Sequence, residues 1–456
     1  MGAYIHKWSK PMSSPMEQNV KNENRQSLRP FFILWGGQAI SLFGSQMVQF
    51  ALIWWLTQET GSATVLAAAS LVGLLPQVIL GPFAGVLVDR WSRRWVMFVA
   101  DSVVALASLV LAYLFWSGTV EVWHVFALLF VRALGGAFHW PAMQASTPLM
   151  VPAEQLTRIQ GLNQMLQGGM SIVAAPLGAL LVSLLTMPAL LAIDVFTALF
   201  AIVPLLFIVV PQPKKVDTAV AADGTDKTSF WTDMRLGFRY ILSWPAVLMI
   251  MGMAMLINFL LTPLAALQPL LITQHFQGEA IQLGILEAAF GLGIVAGGIL
   301  LGVWGGFQKR VHTSLVGLVG LGIGIFLLGL APASMFWLAV GSALLAGSMI
   351  SLTNGPIMAI FQAVVDPAMQ GRVFTLLNSA AMAMSPLSLI VAGPFADAFG
   401  VRTWLMMGGA LTLIVALTGF VNRPLLAIED GRIPNQQLPT DEMETAVPLV
   451  TAVQPD

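Results

Sequence analysis

The sequence has no cysteine, three tyrosines and five histidines, and only 9% of its 456 residues are charged. Without cysteine there is no disulfide framework, no thiolate metal site and no cysteine nucleophile. The histidines form neither an HExxH motif nor a His/Asp cluster, so no metal ligands, catalytic residues or bound cofactor are expected. A net charge of −1 offers phosphate no basic surface, which excludes nucleic acid as a partner. No GxxxxGK[ST] phosphate loop is present either. Soluble domains carry roughly 25% charged residues. Scarce charge here accompanies 57% hydrophobic residues and a mean hydropathy of +0.81, which places the chain in a lipid bilayer.

Apolar runs of about twenty residues read as spanning helices. Twelve are expected, at 31–57, 63–88, 95–116, 121–149, 157–185, 188–210, 246–272, 280–305, 311–331, 334–364, 373–396 and 402–421. The fold class is therefore an all-α membrane protein. A polar tail, 1–30, precedes a six-helix bundle over 31–210. A hydrophilic linker, 211–245, leads to a second bundle over 246–422 and a tail over 423–456. Within the linker, residues 229–241 space apolar side chains like an interfacial amphipathic helix.

Basic residues set the orientation, because Lys and Arg accumulate on the cytoplasmic side. With both termini cytoplasmic, 19 of the 21 basic residues lie inside. Arg402 alone lies outside, and Arg132 is buried in the fourth span. A multi-pass protein of the plasma (bacterial cell) membrane, with both tails cytoplasmic, is expected.

The halves echo each other. "GVLVDRWSRR" (85–94) ends the second span and "GILLGVWGGFQKR" (298–310) ends the eighth. "WPAMQASTPLMVPAEQ" from Trp140 matches "GPIMAIFQAVVDPAMQ" from Gly355, with Pro141 and Pro152, and Pro356 and Pro367, each eleven apart. Such internal symmetry is the architecture of many secondary transporters.

Four ionisable groups lie inside spans: Asp101, Arg132, Asp194 and Glu287. At about 1.5 Å per residue, Arg132 falls roughly 16 Å from the start of its helix, near the midplane. A charge there costs about 2.5–3.5 kcal/mol on insertion scales, so such residues face partners or water. A carboxyl group in a low-dielectric cavity can load and release protons near neutral pH. All four are candidates for proton coupling, with a static ion pair as the alternative. The first span carries Gln38, Gln46 and Gln49 within an arc of about 80° at 100° per residue. The seventh, its repeat partner, carries Asn258 and Gln268.

"GVLVDRWSRR", with Gly85, Asp89, Arg90, Arg93 and Arg94, resembles the loop 2–3 signature of the major facilitator superfamily. "RALGGAF" (132–138) is similar to the fourth-span motif of its proton-coupled members, and "MSIVAAPLGA" (170–179) to a degenerate antiporter motif. "GQAISL", "LTQETGSATVLAAASLVGLLP", "FGLGIVAGGILLG" and "AFHWPAMQASTPLMVPAEQLT" resemble the macrolide-efflux branch, and the likeness spans about 31–421. It implies a drug:proton antiporter: alternating access exports bulky lipophilic compounds, with the proton gradient as energy source. Lipid, protons and a lipophilic small molecule are the implied partners of a functional monomer. Export of a siderophore-like metabolite is the alternative, and a proton-coupled uptake symporter is a weaker one. The implied cavity is lined by the first and seventh helices, hence Gln38, Gln46, Gln49, Asn258 and Gln268, with hydrogen bonding between helices as the alternative for these amides. His139 and Trp140 either stack on a ligand ring or pack at the kink of Pro141.

For the loop itself, the resemblance implies that Asp89 meets the start of the eleventh helix near residues 371–374, where the helix dipole favours an anion. Gly85 lies one turn before, where a missing side chain lets another helix approach. Gly85 and Asp89 then form a conformational latch, while Arg90, Arg93 and Arg94 fix orientation. Gly302 stands where the repeat would place the acid.

Overall fold

A computed structural model describes residues 28–152, 155–212, 238–239, 241–242, 244–365 and 367–430. Among these residues, twelve helices are long and apolar enough to cross a membrane. In the first half they are α1 (Arg29–Thr60), α2 (Ala63–Arg90), α3 (Arg93–Ser117), α4 (Val122–Met150), α5 (Leu156–Leu184) and α6 (Met187–Phe207). In the second half they are α7 (Pro245–Leu270), α8 (Ala280–Trp304), α9 (Arg310–Leu330), α10 (Phe336–Val364), α11 (Pro367–Phe399) and α12 (Val401–Val421). A π-helical turn, Leu271–His275, extends α7. The helix expected at 229–241 falls mostly outside the described residues; 238–239 and 241 are helical.

Local chemistry sets the boundaries. Gly61, at φ 58°, ends α1 in the left-handed conformation that glycine adopts without strain, and its N–H reaches Thr57 O. Ser62 then caps α2, accepting from Val65 N at 3.3 Å. In this way α1 turns into α2 within two residues.

Packing repeats between halves. In the first, α3 lies against α4 and α6, and α2 against α4; in the second, α9 lies against α10 and α12, and α8 against α10. The arginines follow the same logic. Arg93, at the start of α3, donates to Ala145 O on α4 at 2.6 Å, and Arg310, at the start of α9, donates to Ala359 O on α10 at 3.4 Å. Arg94 donates to Leu205 O and Leu206 O, closing the end of α6. Arg402 closes the end of α9 through Gly329 O at 2.9 Å and Leu330 O at 3.4 Å. Terminal carbonyls lack intrahelical partners and carry partial negative charge, so a cation is stabilising there. That accounts for the one basic residue expected on the far side. It also adds a packing role to Arg93 and Arg94, expected to act only in setting orientation; Arg90 is exposed.

Glycine sets the closest approaches within the second half. A Cβ on Gly293 or Gly297 of α8 would overlap the backbone of α10 at Leu344 or Ser348, and one on Gly347 would overlap Phe290 O. Without those side chains the backbones pack directly, as at many helix crossings in membranes. Gly347→Val should therefore lower stability by about 1–3 kcal/mol or more, the range for overpacking. Thermal unfolding in detergent measures this, with Gly341→Ala, where the new methyl group meets open space, unchanged.

The halves meet through α5 against α8 and α2 against α11. At the end opposite the chain termini, Gly284 of α8 sits on Ala175, Pro176 and Ala179 of α5. At the same end, Gly393 of α11 sits on Thr64 and Ala67 of α2. Ala67, Ala266 and Leu389 close a small apolar cluster there with Leu71 and Leu74. Gln274 adds a bond to Gly61 O at 2.9 Å. Toward the terminus-bearing end, by contrast, a Cβ on Gly81, Gly161, Gly302 or Gly371 would meet open space.

Candidate functional site

A cavity of about 970 Å³ lies between the halves. Each half contributes amides from helices that also supply apolar wall. Gln46 and Gln49 come from α1, Gln77 from α2, Gln167 from α5 and Gln268 from α7. His139 and Trp140 come from α4, beside Gly136, and Phe50 and Phe290 add aromatic surface. Glu287 of α8 is the one carboxylate among the described lining residues, and none of them is Lys or Arg.

The four ionisable candidates fall into three environments. Asp194 is 2% exposed and fully engaged. Arg132 Nη1 donates to its Oδ2 at 2.7 Å, Ser108 Oγ to Oδ2 at 2.8 Å, and Ser45 Oγ to Oδ1 at 3.0 Å. Arg132 Nη2 donates to Ser45 O at 2.7 Å. The pair thus ties α1, α3, α4 and α6 together away from the cavity lining. A buried pair of this kind contributes little net stability, but removing one partner costs about 3–5 kcal/mol because the other charge is stranded.

Asp101 forms a second group. Gln38 Nε2 donates to its Oδ2 at 2.9 Å, and His139 Nε2 lies 3.4 Å from Oδ1. Glu287 is the third case: among the described residues its carboxylate has no hydrogen-bond or ion-pair partner, and it faces the cavity.

The expected amide lining divides accordingly. Gln46, Gln49 and Gln268 line the cavity, together with His139 and Trp140. Gln38 does not, because its amide is held on Asp101. Asn258 does not either; its Nδ2 donates to Ala254 O of its own helix at 2.9 Å. Two lining amides, Gln77 and Gln167, escaped the sequence reading. Gln77 is the one amide in its span, whereas Gln167 follows Gln160, Asn163 and Gln164 in a polar start to the fifth span, where nothing singles it out. The glycines of α8 also divide: Gly291 lines the cavity, whereas Gly293 and Gly297 press on α10. The side chains of Gly85 and Asp89 lie outside the described residues, and Gly371, near the expected partner of Asp89, faces open space.

Comparison with known proteins places this architecture. The chain is 37% identical over 387 residues to macrolide efflux protein A of Streptococcus pyogenes, covering 85% of this chain and 94% of that protein. It is 36% identical over 329 residues to the macrolide efflux protein A of Enterococcus faecalis, covering 72% of this chain and 100% of that one. The multidrug efflux pump Tap of Mycolicibacterium fortuitum is 26% identical over 394 residues, covering 83% and 91%. Among solved structures, the nucleoside transporter NupG superposes with a TM-score of 0.64 at 14% identity, covering 86% of this chain and 98% of that one. A bacterial homologue of the human lysosomal transporter Spinster gives 0.61 at 15%, covering 88% and 97%. The Major Facilitator Superfamily description matches residues 34–389. With twelve spanning helices in two repeated bundles around one central cavity, the chain belongs to the major facilitator superfamily, a multi-pass membrane transporter and not an enzyme.

Proposed function

We propose that the protein exports bulky lipophilic, macrolide-like compounds from the cell in exchange for protons, by alternating access of its two halves. The observation that carries this reading is Glu287, a carboxylate without a partner among the described residues, in a largely apolar cavity. The cavity, about 970 Å³, is at the upper end of the roughly 300–1,000 Å³ usual for ligand sites. Its amides suit the hydroxyl and carbonyl groups of a large polar-decorated ring, and the names of the relatives point the same way.

In this mechanism the bundles 31–210 and 246–422 move as bodies, with linker and tails on the cytoplasmic side, where the positive charge lies. Substrate enters from the cytoplasm or inner leaflet while the far end is closed. A proton arriving from outside neutralises Glu287 and favours return of the empty carrier. The protein acts as a monomer and needs no cofactor besides the gradient. Export of an anionic siderophore-like metabolite fits less well, since no Lys or Arg is among the described lining residues. A symporter would use the same parts, and the direction of movement separates the two.

Purified protein in liposomes provides the test. An inward proton gradient should drive a labelled macrolide in the opposite direction, and an ionophore should abolish the movement. Transport indifferent to the gradient would overturn proton coupling; transport of metabolites but no macrolide would overturn the substrate class.

A further inference from the structure

One acidic side chain on a helix start joins the contacts that close the far end of the cavity. Asp397, near the end of α11, meets the first turn of α2 in the other half. Ala63 N donates to its Oδ1 at 2.6 Å, Thr64 N to Oδ2 at 3.0 Å and Ser62 Oγ to Oδ2 at 3.0 Å. Those amides belong to the four at any helix start that lack an intrahelical acceptor, and the dipole there favours an anion. Four residues earlier on α11, Gly393 allows the approach: its Cβ would lie 2.8 Å from Thr64 Cα and 3.0 Å from Ala67 Cβ.

The two helices are antiparallel partners, since α2 runs toward the terminus-bearing end and α11 away from it. Near its own end, α2 carries Gly85 and Asp89 at the same spacing as Gly393 and Asp397 on α11. Each helix thus carries a Gly-x-x-x-Asp segment near its own end, at opposite ends of the molecule, and the one on α11 reaches the start of α2. The repeat does not predict this. Superposing the halves pairs α2 with α8, where the acid is Gly302. The reciprocity belongs to the α2–α11 pair.

We infer that Asp397, with Gly393, is the gating latch of the far side, which must release the start of α2 whenever the cavity opens away from the termini. It is the counterpart of the segment at Gly85 and Asp89, so that only one latch is engaged at a time. The inference rests on the alternating-access reading. The structure has the Asp397 latch made, while a Cβ on Gly371, at the other end of α11, would meet nothing within 4 Å among the described residues.

The chain has no cysteine, so single labels can be placed without background. Ala266→Cys puts a thiol behind the seal. Its reaction with a membrane-impermeant maleimide added outside cells reports opening. Spin labels at Thr119→Cys and Ser334→Cys, in loops of opposite halves at the sealed end, report the distance.

Asp397→Asn keeps the shape but loses the charge. It should raise the labelling rate between about ten- and a hundredfold, the factor implied by loss of one charge-assisted hydrogen bond. It should also populate the longer spin–spin distance. Asp397→Glu should fall between the two. Gly393→Leu, which forces the helices apart without touching the carboxylate, should shift both readouts the same way and covers the case of an Asp397 variant that fails to fold. Unchanged labelling and distances in Asp397→Asn and Gly393→Leu would overturn the latch. An end that never opens in the parent protein, with or without substrate, would instead overturn alternating access.

Discussion

Glu287→Gln should reduce gradient-driven export to equilibration, leaving the fold and substrate binding intact. A pH difference of one unit stores about 1.4 kcal/mol per proton, enough for about a tenfold gradient of a neutral compound. A membrane potential of 100 mV adds about 2.3 kcal/mol when one net charge crosses. If Glu287 carries the coupled proton, glutamine removes this drive entirely, and the accumulation ratio falls to one. Counterflow exchange of labelled for unlabelled substrate should persist, because it needs no proton. Stability should change by less than about 1 kcal/mol, since the carboxylate has no partner to lose. This contrasts with Asp194, where two serine hydroxyls and the Arg132 charge would lose their carboxylate partner by the same change. Full uphill export by Glu287→Gln would end the assignment and return attention to Asp101 beside His139.

Oxidising an Ala67→Cys, Gly393→Cys double variant should stop turnover outright, and a reductant should restore it. The Cβ positions stand 3.0 Å apart, and a disulfide needs about 3.5–4.5 Å. A yield of half an ångström at the crossing therefore admits the bond. A covalent tie across α2 and α11 holds one conformation whatever the ligand does, and a carrier confined to one state cannot complete a cycle. Substrate binding should survive oxidation, because the cavity is already formed with this end closed. Each form is compared with its own reduced state, since the added side chains disturb the crossing by themselves. Continued net transport by the fully oxidised protein would show that the far end need not part at α2 and α11.

How much of this was legible in the sequence depended on what each feature needs. The spans required only hydropathy, so the run expected at 280–305 is found at Ala280–Trp304. The run expected at 373–396 was too short at both ends, because α11 starts at Pro367 and continues through Asp397 to Phe399. A polar side chain that acts by capping a neighbouring helix looks, in one dimension, like the end of a span. Rotation about each helix axis is the second limit. Gln38, Gln46 and Gln49 share an arc on α1, yet Asp101 draws Gln38 away, and nothing local to α1 announces that partner. Gln77 and Gln167 were missed for the same reason: the direction an amide faces is set by the helices packed around it. Conversely, Arg132 and Asp194 were marked by the expense of burying charge, though their union across 62 residues emerges only from the packing.

The contact of α2 with α11 near Thr64 and Ala67 also fixes a mechanical scale. Beyond that crossing, α2 extends to Arg90, about 35 Å at 1.5 Å per residue. It is a lever held near one tip. By the same geometry, a swing of about ten degrees at the held tip carries the free tip through about 6 Å. Small rearrangements around a three-bond latch are therefore converted into a displacement wide enough to admit or exclude a large solute.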